Sequence, residues 1–322
     1  MPSIVAGIEM GGTGCKVAIS DDNGQYDSQF SLQIVTTTAD STLQQLYDWL
    51  VSKRSERAFV ALGIACFGPI DLDPTSKTYG YITTTPKPGW QYVNVVGAFQ
   101  GLNVPIAFET DVNAPAMTEA ALRGDTSAAY ITIGTGKEVN VGSHLCTAIV
   151  VQRNDICLGV GVGLVIDSRP IHGLMHPEAA HIKCERCPGD DYPGDCPFHG
   201  ACIEGMSNAK SAADRLGILP SQLSTIADDH PVWNTQAYYI GQLCAAVIYV
   251  TSVKRIVIGG GLTQRTGLFE HIRKHVRQIL NSYINLPRIM NDLDNYIVPS
   301  LLGDRIGIQS AFDIAQVLAK KD

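Results

Sequence analysis

Three apolar, β-rich runs in this chain each end in a cluster of small, flexible residues. Ser3–Met10 enters Gly11-Gly12-Thr13-Gly14, Ala128–Ile133 enters Gly134-Thr135-Gly136, and Arg255–Ile258 enters Gly259-Gly260-Gly261. A strand that delivers glycines into a tight turn leaves backbone N–H groups free to face an anion, and a threonine hydroxyl adds a donor. Such turns hold phosphate, and three of them pose the question of whether they surround one nucleotide. The first joins Ser3–Met10 to a second apolar run at Cys15–Ser20. It therefore links strand to strand, unlike a Rossmann fingerprint or a Walker A loop, which open a helix. Taken alone, an ordinary hairpin turn accounts for it equally well.

The order of elements around these turns is repetitive. Asp21-Asp22-Asn23-Gly24 makes the next turn before a third run at Tyr26–Ile34, giving a three-stranded meander. Ser41 or Thr42 is positioned to cap a helix that places Leu43, Leu46, Trp49 and Leu50 on one face, and Arg57–Ala65 then reads as a buried strand. Residues 66–90, rich in Gly, Pro and Thr, form a long loop of the kind that is functional or disordered. Val104–Glu109 is a short strand, followed by a helix from about Thr110 to Leu122 with Pro115 in its first turn. After an irregular middle come a helix at Gln236–Thr251, the strand at Arg255–Ile258, an amphipathic helix at Leu268–Leu286, a strand at Tyr296–Ser300 and a closing helix at Gly307–Leu318. Both halves start with strands flanking a glycine turn and end in α/β alternation, which suggests a duplicated α/β unit with a cleft between the copies.

A length of 322 residues accommodates two such domains. The formal net charge of −7 without a Lys/Arg stripe argues against nucleic acid as a partner. No apolar run is long enough to span a bilayer and no signal peptide is visible, so no membrane association and a cytoplasmic location are expected. In that reducing compartment the nine cysteines read as thiols or metal ligands.

Lys16, just past the first turn, can neutralise phosphate charge, and Glu9 can hold a metal ion or its waters. Asp111 follows a strand at a helix start, where it is either an N-cap or the general base that accepts the proton of an attacking hydroxyl during phosphoryl transfer. Asn113 can cap in its place. Cys196-Pro-Phe-His199-Gly-Ala-Cys202, with His181 upstream, supplies four ligands suited to a closed tetrahedral Zn²⁺ site. Cys184-Glu-Arg-Cys187 competes, since a Cys₄ arrangement with Cys196 and Cys202 has equally good spacing. His144, His172, His230, His271 and His275 have no such company and read as surface or satisfied polar residues.

Together these residues resemble the ROK family of sugar kinases, within it the bacterial-type fructokinase branch. The matching stretches run from Ile4 to about Gln316 and include Glu9–Lys16, Phe67-Gly68-Pro69, Ile82–Trp90, Glu109–Ala116, Ile131–Gly136, His176-Pro177-Glu178 with His181, the cysteine loop to Glu204-Gly205, and Ile258–Leu262. The resemblance implies an α/β, actin-like ATPase fold of two RNase H-like domains with an interdomain cleft and a zinc-bound loop. In this chain those are residues 1–110, residues 111–303 with the zinc loop at 176–205, and a closing helix at 304–322 packing back toward the first domain. It implies Asp111 as the base, and Asn113, Glu178 and Glu204 as holders of sugar hydroxyls. It favours His181, Cys196, His199 and Cys202 as structural zinc ligands. Gly11, Gly12, Thr13, Lys16, Thr135 and Gly136 would wrap the ATP phosphates, and Ala209, Gly259, Gly260, Gly261 and Leu262 would lie on the nucleotide's other side. The implied reaction is ATP plus D-fructose giving fructose 6-phosphate, with Mg²⁺ on the phosphates and a homodimer as the assembly. Mannose, glucose or an amino sugar is the alternative acceptor. A sugar-binding repressor is the rival from another class, but it would need a DNA-binding domain ahead of the first strand.

The chain departs from the family pattern at Ala180, where glycine is usual, and at Ser207-Asn208-Ala209, which replaces a Ser-Gly-Pro-like turn. A larger departure follows Gly136. In the family the Gly-Thr-Gly turn runs straight into a strand of the type Ile-Gly-x-Gly, which here begins only at Val160-Gly161-Val162-Gly163. Lys137–Gly159 therefore reads as an insertion in a phosphate-binding hairpin. Its ends back-translate as a splice donor at Gly136-Lys137 and an acceptor at Leu158-Gly159, which makes a translated, unspliced intron one reading and a genuine surface loop the other. On the first reading the chain as written is an impaired, sugar-binding form of the enzyme.

Overall fold

A computed structural model describes residues 2–134 and 159–320. Thr135, Gly136 and all but the last residue of the expected insertion lie outside them.

The first sheet is built from β1 (Ala6–Met10), β2 (Gly14–Ile19), β3 (Ser31–Val35), β4 (Leu62–Cys66) and β5 (Ile106–Thr110), in the order β3-β2-β1-β4-β5. β1, β2 and β3 pair antiparallel, while β4 joins β1, and β5 joins β4, in parallel. The second sheet contains β6 (Ala128–Ile133), β7 (Val160–Ile166), β8 (Arg169–Pro170), β9 (Ile256–Gly259) and β10 (Ile297–Pro299). Its order, β8-β7-β6-β9-β10, repeats the first with the same sense of pairing throughout. Two meanders, each extended by two parallel strands, thus form two RNase H-like units of one actin-like fold.

The parallel strands explain their own composition. β4, Leu-Gly-Ile-Ala-Cys, is buried along its whole length because elements cover both faces of the sheet. It starts at Leu62 rather than Arg57, since residues 54–61 turn out of α1 (Ala39–Lys53) before entering the sheet. That helix is capped by Thr38, whose side chain accepts from Ser41 N, while Thr42 is buried and its hydroxyl accepts from Thr37 N. Residues 66–90 are ordered by side chains that local patterning does not reveal: Trp90 is fully buried, donates to Thr37 O (2.9 Å) and stacks edge-on against Phe67.

The remaining helices are α2 (Val95–Phe99), α3 (Asn113–Arg123), α4 (Ile203–Ser207), α5 (Ala209–Leu216), α6 (Pro231–Thr251), α7 (Leu268–Leu280), α8 (Pro287–Met290), α9 (Leu293–Tyr296) and α10 (Ile306–Ala319). α7 stops at Leu280, short of the expected Leu286, because Asn281 takes the left-handed conformation and closes the helix with a backbone bond to Arg277. α6 is apolar on most of its circumference because it lies between α7 and the core of the second unit. The C-terminal α10 leaves the second unit and packs on β1, β4 and α3. Its approach requires Gly63, where any Cβ would strike the Ala311 carbonyl.

Candidate active site

The carboxyl ends of parallel strands are where α/β sheets bind ligands, and among the described residues the first and third glycine turns and the candidate base fall there. β1 ends at Met10 before Gly11-Gly12-Thr13-Gly14, β5 ends at Thr110 before Asp111, and β9 ends in Gly259 before Gly260. β6 runs beside β9, with Thr132 opposite Gly259, so the second and third glycine turns leave adjacent strands.

Asp111 is not a helix cap. Its N–H bonds to Cys66 O (2.9 Å), α3 begins two residues later at Asn113, and the Thr110 hydroxyl accepts from Asn113 N instead. The carboxyl is thereby left outside the helix's own capping bonds. Burial, reinforced by the Glu9 charge, pushes it up to about 7, which lets one group take and return a proton at neutral pH.

A second carboxylate, Glu178, lies within electrostatic reach of it, and a third, Glu204, lies within reach of Glu178. Glu178 is pushed up to about 7 by burial first, then by Glu204 and Asp111, and Glu204 is raised chiefly by burial. Glu204 accepts from Val160 N (3.3 Å), and Glu178 lies 3.5 Å from His176 Nδ1. His176 is buried and accepts from Ile70 N through Nε2 (3.1 Å), so its proton sits on Nδ1, toward Glu178. Asn113 is fully buried: its oxygen accepts from Leu164 N (3.1 Å) and its nitrogen donates to Glu109 (3.1 Å). That packing depends on Gly163, since a Cβ there would strike the Val112 carbonyl.

In the first glycine turn Gly11 N bonds to Gly14 O, and the Thr36 hydroxyl and N–H bond to the carbonyls of Gly11 and Thr13. The N–H groups of Gly12 and Thr13 have no partner among the described residues. Glu9 and Lys16 face each other across β1 and β2; burial raises the Glu9 carboxyl while Lys16 works against that rise. The Lys16 amine reaches Asp304 O (3.5 Å) at the approach to α10. Ala209 and Leu262 are buried, so nucleotide contact at those two positions would fall to the backbone.

His181, Cys196, His199 and Cys202 converge, their ligand atoms all within 4.8 Å of one another. Cys196 Sγ is 3.6 Å from Nδ1 of both His181 and His199, and Cys202 Sγ is 3.7 Å from His181 Nδ1. A tetrahedral ion with metal–sulfur bonds of about 2.3 Å and metal–nitrogen bonds of about 2.0–2.1 Å sets sulfur and nitrogen roughly 3.6 Å apart. The four residues therefore fit such an ion. Cys184 and Cys187 stand outside the cluster, the Cys184 thiol donating to Ala201 O, which removes the competing Cys₄ arrangement among the described residues.

The ROK family model matches residues 5–142 and 149–317. This chain belongs to the ROK family. A fructokinase from Lactococcus lactis subsp. cremoris is 35% identical over 282 residues, covering 87% of this chain and 86% of its own. A fructokinase from Pediococcus pentosaceus is 32% identical over 321 residues, covering 98% and 99%. The solved structure of a ROK family glucokinase from Streptomyces griseus, in complex with glucose and AMPPNP, superposes with a TM-score of 0.69 over 98% of this chain and 99% of its own at 19% identity, so it shares the fold.

In this ROK chain the break in the family match, between residues 142 and 149, falls inside the stretch 137–159. No helix among the described residues is long and apolar enough to cross a membrane. Two site residues escape a reading by local pattern. His176 closes the 67–70 loop through its bond with Ile70 N and lies beside Glu178, and His172, read as a surface or satisfied polar residue, is satisfied by Glu109 at 2.8 Å, a partner the sequence did not name. Their partners are separated from them by 106 and 63 residues, a distance at which single-sequence patterns carry no signal.

Proposed function

We propose that this ROK chain is an ATP-dependent hexose kinase that converts D-fructose to fructose 6-phosphate. The observation that carries the reading is Asp111, at the carboxyl end of β5 with its carboxyl near 7 and within reach of the Glu9 charge on β1, the strand that enters the first glycine turn. The names of the relatives at 32–35% identity support fructose as the acceptor. Asp111 takes the proton of the attacking hydroxyl while Glu178 and Glu204 accept hydrogen bonds from the other hydroxyls, and Asn113 holds the N-terminus of α3 in place beside them. Gly11, Gly12 and Thr13 cradle phosphate oxygens through backbone N–H groups, Lys16 adds positive charge, and Glu9 orients waters of the magnesium that arrives with ATP. Magnesium supplies charge neutralisation on the transferring phosphoryl group. Thr135 and Gly136 complete the phosphate side, and Gly259, Gly260, Gly261, Leu262 and Ala209 the nucleoside side. Zinc is the ion for His181, Cys196, His199 and Cys202, in a structural role, since all four positions are filled by protein. A cytoplasmic homodimer is the expected form.

The stretch 137–159 is, in this reading, foreign to the working hairpin. The last β6–β7 pair is Ile133 with Val160, and Gly134 N bonds to Gly159 O. Without 137–159, Gly134-Thr135-Gly136 alone would link those two paired residues, a loop of ordinary hairpin length. The test is turnover of fructose, mannose, glucose and amino sugars with ATP by the full chain and by the chain lacking 137–159. Phosphorylation of the other sugars with fructose untouched would overturn the fructokinase reading.

A further inference from the structure

Glu109 lies two residues before Asp111 and is 5% exposed. One of its oxygens takes Thr110 N (2.9 Å) and Asn113 Nδ2 (3.1 Å), and the other takes His172 Nε2 (2.8 Å). A buried carboxylate thus holds two side chains at the cleft wall, and they differ in what they offer a ligand. Asn113 is fully buried with its oxygen already committed to Leu164 N. The His172 side chain is 39% exposed, and its Nδ1 has no partner among the described residues.

His172 follows β8 and sits at the start of the strap that leads to His176 and Glu178, so its ring is bonded to Glu109 near the end of β5 and lies close enough to His176 to act on it electrostatically. Tyr79, half-buried in the 66–90 loop of the same unit, also feels the Glu109 charge. A carboxylate bonded to one imidazole nitrogen fixes the tautomer and the ring plane, leaving the opposite nitrogen aimed and available. Pre-orientation of this kind is what a site needs in order to discriminate hydroxyl patterns, because a misplaced hydroxyl then leaves a polar group unpaired.

We propose that His172 is a sugar-contacting, specificity-determining residue, its Nδ1 bonding a hexose hydroxyl other than the one phosphorylated, and that Glu109 is the positioning residue that holds its ring. This rests on the hexose kinase reading. The test uses the full chain, the form lacking 137–159, and His172→Ala, His172→Gln and Glu109→Gln in each. Steady-state kinetics with fructose and mannose are paired with calorimetric binding of fructose without ATP. His172→Ala is expected to raise the fructose KM and Kd about tenfold or more, to leave kcat within roughly threefold, and to shift the fructose-to-mannose preference. His172→Gln, which keeps a hydrogen-bonding side chain, recovers part of the affinity, and Glu109→Gln weakens binding in the same direction. A fructose KM and Kd within twofold of the parent in His172→Ala, or a loss confined to kcat, overturns the inference while leaving the kinase reading intact. A parent that neither binds nor turns over any hexose overturns both.

Discussion

Asp111→Asn is the perturbation whose size follows most directly from the structure, and it bears on activity and stability with opposite signs. The Asp111 carboxyl is displaced from 3.8 to about 7, mostly by burial. For activity, a base with that value is roughly 1% ionised at pH 5, so kcat/KM should fall about 100-fold below its plateau there, whereas an ordinary aspartate would still be roughly nine-tenths ionised. For stability, both folded and unfolded chains hold the proton below about pH 4. Between there and pH 7 the unfolded chain releases a proton that the folded chain keeps, so the parent loses stability as pH rises, levelling off above 7. A displacement of roughly three units is worth at most about 4 kcal/mol, less whatever the open side of the cleft screens. Asparagine cannot ionise and escapes that cost. Asp111→Asn should therefore abolish turnover yet be more stable than the parent, by a margin of at most about 1 kcal/mol at pH 4.5 that grows to pH 8. Urea midpoints at pH 4.5, 6 and 8, together with the pH–kcat/KM profile of the parent, measure both arms. An acid limb near pH 4, a stability margin that does not change with pH, or turnover surviving in Asp111→Asn would each refute the reasoning.

Three other outcomes follow from the same geometry. Cys202→Ser should strip stoichiometric zinc, read by elemental analysis, and lower the thermal midpoint and sugar affinity together; a loss of kcat alone with zinc retained would contradict a structural ion. Gly63→Ala should destabilise more than Gly7→Ala, because the added methyl meets the Ala311 backbone in the first case and the Phe312 ring, 2.7 Å away but able to turn, in the second. Overpacking costs of about 1–3 kcal/mol are typical, and denaturant midpoints rank the pair. Removing 137–159 should raise kcat/KM by at least about tenfold if the link through Gly134-Thr135-Gly136 forms the phosphate turn; equal activity of the two forms, or loss on removal, would make the stretch a genuine part of the enzyme.

What could be read from residues alone was whatever depends on neighbours in sequence. The meander, the first and third glycine turns and the Cys196–Cys202 loop are each set by spacing within one or two turns of chain, and the structure returns them with shifts of a few residues. The shifts have local causes: the Thr-, Ser- and Asp-rich stretch from Thr36 to Thr42 offers several caps to α1, and Asn281 ends α7 through a backbone conformation that its neighbours do not announce. The competition between Cys184-Cys187 and the histidines could not be decided by spacing, because both satisfy it. Only the three-dimensional separations exclude the first pair.

The polar wall of the site was hidden for a deeper reason. Glu109 sits on a strand whose pattern marks it as core, and a buried carboxylate is costly unless something pairs with it. Its partners arrive from three places: Thr110 beside it, Asn113 at the start of α3, and His172 on the strap beyond β8, contributed by the other unit. The duplication explains why this happens at one spot. Each unit presents the carboxyl ends of its parallel strands, and α3 joins the end of β5 in the first sheet to the start of β6 in the second. Asp111 and Asn113 are therefore held at the junction, and the strap from β8 supplies what the first unit cannot. A charge buried on one unit and satisfied from the other ties the surroundings of Asp111 to the relative placement of both, so on the proposed function disturbing the Glu109–His172 pair should be felt in sugar binding before it is felt in the stability of either unit.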